Sequence, residues 1–176
     1  MPDLLTHLLA AHAVRRLPEI KLGRLFDLRL VTFFLLGAIL PDLLNRPFTI
    51  VTGQLWVSWL TMPTHTPVGC LLLCYIIAML VPFQAERKSL FIAMFLGCGL
   101  HFGLDILQRH IGGGGYFWLF PFSWQRFHVP LFWSSNAIYG IPFLLVLVVL
   151  LEWFVQRRKR QLTVGAQQTY GKNTNQ

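Results

Sequence analysis

The chain has 176 residues, 55% of them hydrophobic and 12% charged, with a mean hydropathy of +0.55. Soluble domains carry about 25% charged residues, and 15 Phe with 6 Trp exceed what one water-soluble core of this size buries; a soluble globular domain, a disordered chain, collagen and a coiled coil are therefore excluded. The net charge of +8 does not argue for nucleic acid, because the basic residues flank apolar runs instead of forming a patch.

In chain order, the first segment is residues 4–14, apolar but too brief to cross lipid alone. It fits a short helix inside a bundle. Met1-Pro2-Asp3 lacks a basic n-region and no small-residue cleavage site follows, which argues against a cleavable signal. Longer apolar runs cover residues 28–44, 68–83, 89–107 and 137–155. A span takes about 20 residues, or about 17 at the short end, so the last two are comfortable and the first two lean on neighbours. The expected fold class is all-α: an integral membrane helical bundle of four transmembrane helices plus a short N-terminal helix. It forms a single domain over residues 1–160. Residues 161–176 are polar and Gln- and Asn-rich, and are expected to form a disordered cytoplasmic tail.

Basic residues orient the bundle. Twelve of the 15 Lys and Arg fall in residues 15–29, 87–88 and 157–172, whereas Arg46, Arg109 and Arg126 fall in the other loops. The positive-inside rule places the first set in the cytoplasm and residues 45–67 and 108–136 outside. Gly112 to Gly115 is a flexible run without the Lys-Ser/Thr of a phosphate loop. It precedes Tyr116-Phe117-Trp118-Leu119-Phe120-Pro121-Phe122-Ser123-Trp124, an aromatic density suited to the headgroup zone as an interfacial or re-entrant cap. Cys70, Cys74 and Cys98 lie inside apolar runs without a CxxC pattern and read as small packing residues.

Ionisable groups inside a bilayer cost about 2.5–3.5 kcal/mol each on insertion scales, so each needs a reason. Asp42, His65, His101 and Asp105 all fall at the expected outer ends of their helices. His101-xxx-Asp105 has a spacing of four, which puts both side chains on one helix face a turn apart. An imidazole and a carboxylate so placed can grip one divalent ion, and a catalytic zinc takes three protein ligands and leaves a position for water. His65 is the natural third ligand, while Asp42 can orient a ligand, bridge to a second metal or act as a base. Gly97, Gly99 and Gly103 lighten the same helix and allow close approach of a neighbour. His7 joins this set if the first helix runs inward, with Arg15-Arg16 at its cytoplasmic end.

Thr6-His7, Leu40-Pro41-Asp42, Thr64-His65-Thr66, His101-xxx-Asp105 and Phe120-Pro121-Phe122-Ser123 occur in an order that resembles the YdjM-like family of bacterial inner-membrane predicted metal-dependent hydrolases. That family is distantly similar to zinc-dependent phospholipase C and P1 nuclease, helical proteins that bind zinc through His and Asp and cleave phosphoesters. The resemblance implies His65, His101 and Asp105 as first-site zinc ligands, with Asp42 and His7 in the same metal cluster. It also implies a phosphoester or lipid-linked substrate. Three features depart from the pattern: Leu43 and Leu44 stand where a further Asp often follows Pro-Asp, Met62-Pro63 replace His-Arg, and Thr66 replaces Ser. A later HxxxE is absent, since Phe132 stands four residues after His128.

Plainer readings stand beside these. His101 and Asp105 also suit a hydrogen-bonded pair holding two helices together, His65 a loop residue and Asp42 a helix cap, though the metal reading is the stronger of the two for each. His12 reads as packing or local bonding, and His110 and His128 as exposed. Arg109 and Arg126 suit either an anionic headgroup or anchoring at the interface. The functional expectation is a metal-dependent hydrolase at the outer membrane face, with membrane lipids as its surroundings. The alternative is a non-catalytic membrane scaffold with a structural or relict metal site, which the missing Asp and HxxxE favour. A proton or ion relay is disfavoured because the polar groups stay on one side.

Overall fold

With lipid on the outside, burial of apolar surface gives helices no reason to associate. They are held by close backbone packing between small residues and by polar ties, and both occur here at identifiable positions. The computed structural model describes residues 3–22, 26–52, 62–109, 117–125, 129, 131–133 and 136–173. The Gly112 to Gly115 run, Tyr116, His110, Arg126 and His128 lie outside the described residues.

Helix α1 spans Asp3–Leu22, α2 Leu28–Thr52, α3 Pro67–Leu80, α4 Gln84–Ile106 and α5 Ala137–Asn173. A 3-10 turn, Met62–His65, leads into α3. The only strand pairing among the described residues is two residues long, with Gln108–Arg109 parallel to Phe132–Trp133. The fold is thus all-helical, and α2, α4 and α5 are long and apolar enough to cross a membrane. Helix α3 is apolar but has 14 residues, or about 21 Å.

Two elements outrun the sequence expectation. Helix α1 is 20 residues long with Pro18 inside it, so it continues through Arg15, Arg16 and Glu19 instead of stopping after the apolar segment. Its extension is held by ionic bonds to α5, described below. Helix α5 continues to Asn173, through the stretch for which the sequence expects disorder; Gln, Lys and Arg are good helix formers.

Helices α2 and α4 run parallel, in contact along a seam of small residues. A Cβ on Gly37 would overlap the Met94 carbonyl, and one on Gly97 would overlap the Phe34 carbonyl. Each glycine thus lets the other helix's backbone in. Of the three glycines expected to permit such an approach, only Gly97 does so. A Cβ on Gly99 or Gly103 meets nothing within 4 Å, and both are exposed. At the start of the same two helices, Arg29 Nη1 donates to both carboxylate oxygens of Glu86 at 2.6 and 2.7 Å. Leu40, Cys70, Cys74, Met94, Cys98 and Phe102 form the apolar core among α2, α3 and α4. The three cysteines are free and buried, with Cys74 Sγ 3.6 Å from Cys98 Sγ, in keeping with their reading as packing residues.

Helix α1 lies parallel to α5, since His12 pairs with Glu152 and the Ile20 carbonyl with Arg158. Arg16 is the knot of this tie. It holds Glu152 through Nε at 2.6 Å and Nη2 at 2.8 Å, and Glu19 through Nη1. The Glu19 side chain is 1% exposed, so removing its partner strands a buried charge. Breaking such a pair typically costs 3–5 kcal/mol, and Arg15, 3.4 Å from Glu19, offsets part of it. Arg16→Met is therefore expected to lower unfolding stability by about 3 kcal/mol. Thermal unfolding in detergent checks this, with the lipid-exposed Leu17→Ala unchanged as the comparison.

Candidate metal centre

The parallel α1–α5 and α2–α4 pairs gather the basic residues at one end of the bundle and a polar, basic-poor group at the other. At that second end stand His7 from α1, Asp42 and Asn45 from α2, His65 from the 3-10 turn, and His101 and Asp105 from α4. All five sequence-predicted residues, His7, Asp42, His65, His101 and Asp105, are brought together and buried, none more than 5% exposed.

His101 is the hinge of the arrangement. Its Nδ1 lies 2.9 Å from the Ala38 carbonyl, an acceptor only, so Nδ1 carries the proton and donates it there. The Gly37–Gly97 contact one turn away brings that carbonyl within reach. Nε2 consequently offers a lone pair, and it faces Asp105 Oδ2 at 3.2 Å. The other carboxylate oxygen of Asp105 lies 3.2 Å from His7 Nε2, and the His7 and His101 rings are 4.2 Å apart, tilted by 30°. His101 Nε2 and Asp105 Oδ2 are buried and have no hydrogen-bond partner among the described residues. A lone pair set against a carboxylate oxygen without a proton between them is the condition a cation relieves.

A second group lies beside the first. His65 Nε2 is 3.3 Å from Asp42 Oδ1, and His65 Nδ1 is 3.4 Å from Asn45 Nδ2. An amide nitrogen only donates, so Nδ1 accepts and Nε2–H donates to Asp42. The His65 and His101 rings meet edge-on at 5.7 Å. Sequence reasoning missed Asn45 because a lone Asn carries no pattern of its own. Its i+3 spacing from Asp42, which puts both on one helix face, is the signal that finds it.

Local chemistry explains why His65 points inward. Thr66 caps α3: its Oγ1 accepts from Gly69 N at 3.1 Å and donates to the Pro63 carbonyl at 2.8 Å. Gly69 is needed there, since a Cβ would overlap the Pro63 carbonyl. Cys70 Sγ lies 3.1 Å from the Thr64 carbonyl. The turn is thus pinned on both sides of the histidine.

Two sets of donors have all their ligand atoms within 4.8 Å of one another: His7, His101 and Asp105, and Asp42, His65 and His101. Two donors on a zinc ion, each about 2.0–2.2 Å from it, lie at most about 4.4 Å apart, so the residues fit a divalent ion with only small closure. The charge fits as well. With neutral imidazoles the group carries the two negative charges of Asp42 and Asp105, which one divalent ion cancels. His101 has a single available lone pair, so the two sets compete for it. The orphaned pair favours His7, His101 and Asp105 as the ion's ligands, and leaves His65 and Asp42 as a hydrogen-bonded dyad alongside.

The aromatic segment reaches this end of the bundle. Trp118 meets Phe102 edge-to-face at 5.4 Å, and Phe102 in turn lies against the His101 ring at 5.8 Å. Trp124 packs against Phe117 and Phe120. Val129 N and Leu131 N bond the carbonyls of Ile106 and Leu107, tying the segment that leads to α5 to the end of α4 beside Asp105. His12 is not part of this group. It bonds Glu152 of α5 at 2.7 Å at the basic end, a tie between helices and not the packing or local bonding that the sequence suggests.

No curated protein and no solved structure matches the chain, and the distant likeness to zinc-dependent phospholipase C and P1 nuclease gains no support there. A family model does match, that of the YdjM inner membrane protein, over residues 1–168. An apolar helical bundle with its buried His/Asp group at one end and most of its arginines at the other thus belongs to the YdjM inner membrane protein family.

Proposed function

We propose that the protein is a metal-dependent hydrolase acting on a phosphoester or lipid-linked substrate at the outer face of the inner membrane. The observation that carries this reading is the buried His7–His101–Asp105 group, with a lone pair and a carboxylate oxygen facing each other unbonded. Orientation follows from charge: Arg15, Arg16, Arg87, Lys88, Arg157 and Arg158 lie at the opposite end, which the positive-inside rule assigns to the cytoplasm together with the C-terminal tail. Helix α3 serves as the fourth span, its short length supported by α4 and by local bilayer adjustment.

His7, His101 and Asp105 hold the ion, zinc by the chemistry of two imidazoles and a carboxylate. When bound, a divalent ion supplies Lewis-acid stabilisation of charge on phosphoryl oxygens and a more acidic water. The chain's own residues do the rest. Ala38 fixes the His101 tautomer, and Asn45 fixes that of His65. His65 Nε2–H orients the Asp42 carboxylate, which serves as the proton acceptor. In hydrolysis a water oxygen forms the new bond to phosphorus and its proton passes to Asp42, while the ester P–O bond breaks and the leaving alkoxide takes a proton from solvent and departs as the alcohol. The aromatic residues around Trp118 and Trp124 suit a substrate that arrives from the headgroup zone.

A second reading, a structural or relict metal site in a non-catalytic scaffold, is favoured by the depth of the donors: His101 is 0% exposed and Asp105 3%. A single assay separates the two. Detergent-purified protein is stripped with chelator, reloaded with zinc, and offered bis-p-nitrophenyl phosphate and a short-chain phospholipid. Zinc-dependent release of product supports the hydrolase, whereas tight zinc binding without turnover of either substrate supports the scaffold.

A further inference from the structure

At the basic end, α1, α2 and α4 line an open groove of about 440 Å³. Its walls are apolar, with Val14 and Pro18 from α1, Leu30 and Phe34 from α2, and Ile92 and Leu96 from α4. Among the residues lining it, Arg15 is the one charged side chain, joined by the Ser89 hydroxyl. The groove lies in the halves of the three helices farthest from His101, so it is separate from the metal centre.

Arg15 is loosely held. Its Nη1 is 3.4 Å from Glu19 and its Nη2 3.9 Å from Glu152, with the His12 ring nitrogens at 3.3 and 3.4 Å. Arg16 takes the same two carboxylates in closer bonds, at 2.6 and 2.8 Å for Glu152. A guanidinium has five N–H donors in a fork suited to phosphate, and short carboxylate bonds engage those of Arg16 but not those of Arg15. Arg87, Lys88, Arg157 and Arg158 add positive potential at the same end. An apolar slot with a half-engaged guanidinium at its polar edge is shaped for one molecule: an acyl chain along the helices and a phosphate on the arginine.

The geometry points to a binding site for a single anionic phospholipid at the basic end of the bundle, its acyl chain in the groove between α1, α2 and α4 and its phosphate on Arg15. Charge decides the headgroup class. A zwitterionic lipid brings its own cation into a region already crowded with arginines, and an anionic lipid does not.

Native mass spectrometry of the detergent-purified full chain tests this, by titration with dioleoylphosphatidylglycerol or dioleoylphosphatidylcholine, which share acyl chains. The first phosphatidylglycerol adduct is expected at about fivefold lower lipid concentration than the phosphatidylcholine adduct, the effect of one basic group near an anionic surface. Arg15→Gln brings the two lipids to the same concentration. Ile92→Trp, placed on the lipid-facing wall and filling the groove with Arg15 intact, weakens the first phosphatidylglycerol adduct by a similar factor. Arg157→Gln, on the exposed side of α5 over Trp153, keeps the preference. Equal binding of both lipids to the unmodified protein, which marks a generic acyl-chain slot, overturns the proposal. So does a preference that survives both Arg15→Gln and Ile92→Trp.

Discussion

On the proposed hydrolase reading, Asp42→Asn is expected to retain zinc and to slow phosphodiester hydrolysis about 10²–10⁴-fold, the range for losing a general base. The substitution keeps the shape of the side chain and its contact with His65 Nε2–H, 3.3 Å away, while removing the oxygen that accepts a proton. Metal is retained because His7, His101 and Asp105 supply the ligand atoms, and losing the nearby Asp42 charge weakens the site without removing a ligand. Equilibrium dialysis alongside the kinetics reads both quantities on one preparation. A parallel fall in zinc affinity and rate would instead make Asp42 a ligand, with the second donor set holding the ion.

His101→Ala is expected to show the opposite signature, losing the proposed metal first and the proposed activity with it. Removal even of a group that only orients a metal ligand costs 10–100-fold in affinity. Loss of a donor shared by both sets is therefore expected to weaken zinc binding by more than about 100-fold. The helix survives, because Ala is the best helix former and the Gly37–Gly97 contact that joins α2 to α4 lies a turn away. Circular dichroism with unchanged helix content, together with isothermal titration of zinc, checks the prediction. Retention of near-normal affinity would remove His101 from the site.

Much of this was readable from residue types and spacing. The apolar runs located α2 to α5, because an apolar segment in lipid must satisfy its own backbone hydrogen bonds and a helix does so. The HxxxD spacing put His101 and Asp105 on one face, and the arginine distribution sorted the helix ends, which put His7 with the other four. The gaps have a common cause. Hydropathy is a property of single segments, whereas the contacts that close the site join residues far apart in the chain. The tie between Arg16 and Glu152 holds α1 as a helix beyond Pro18, and neither residue alone forecasts it. Gly97, Gly99 and Gly103 look alike in the sequence, and only the position of α2 distinguishes the one that packs from the two that face lipid. The assignment of His65 to Asp42 instead of to Asp105 likewise depends on Asn45 and on which ring nitrogen carries the proton.

The central claim is that a chain of membrane helices builds one divalent-ion site from side chains on two of its helices, His7 of α1 and His101 and Asp105 of α4. Elemental analysis of protein purified without chelator, then equilibrated with zinc and desalted, measures this directly. One zinc per chain is expected in the unmodified protein and far less than one in Asp105→Asn. A chain that retains no divalent metal at all, although correctly folded, would contradict the account.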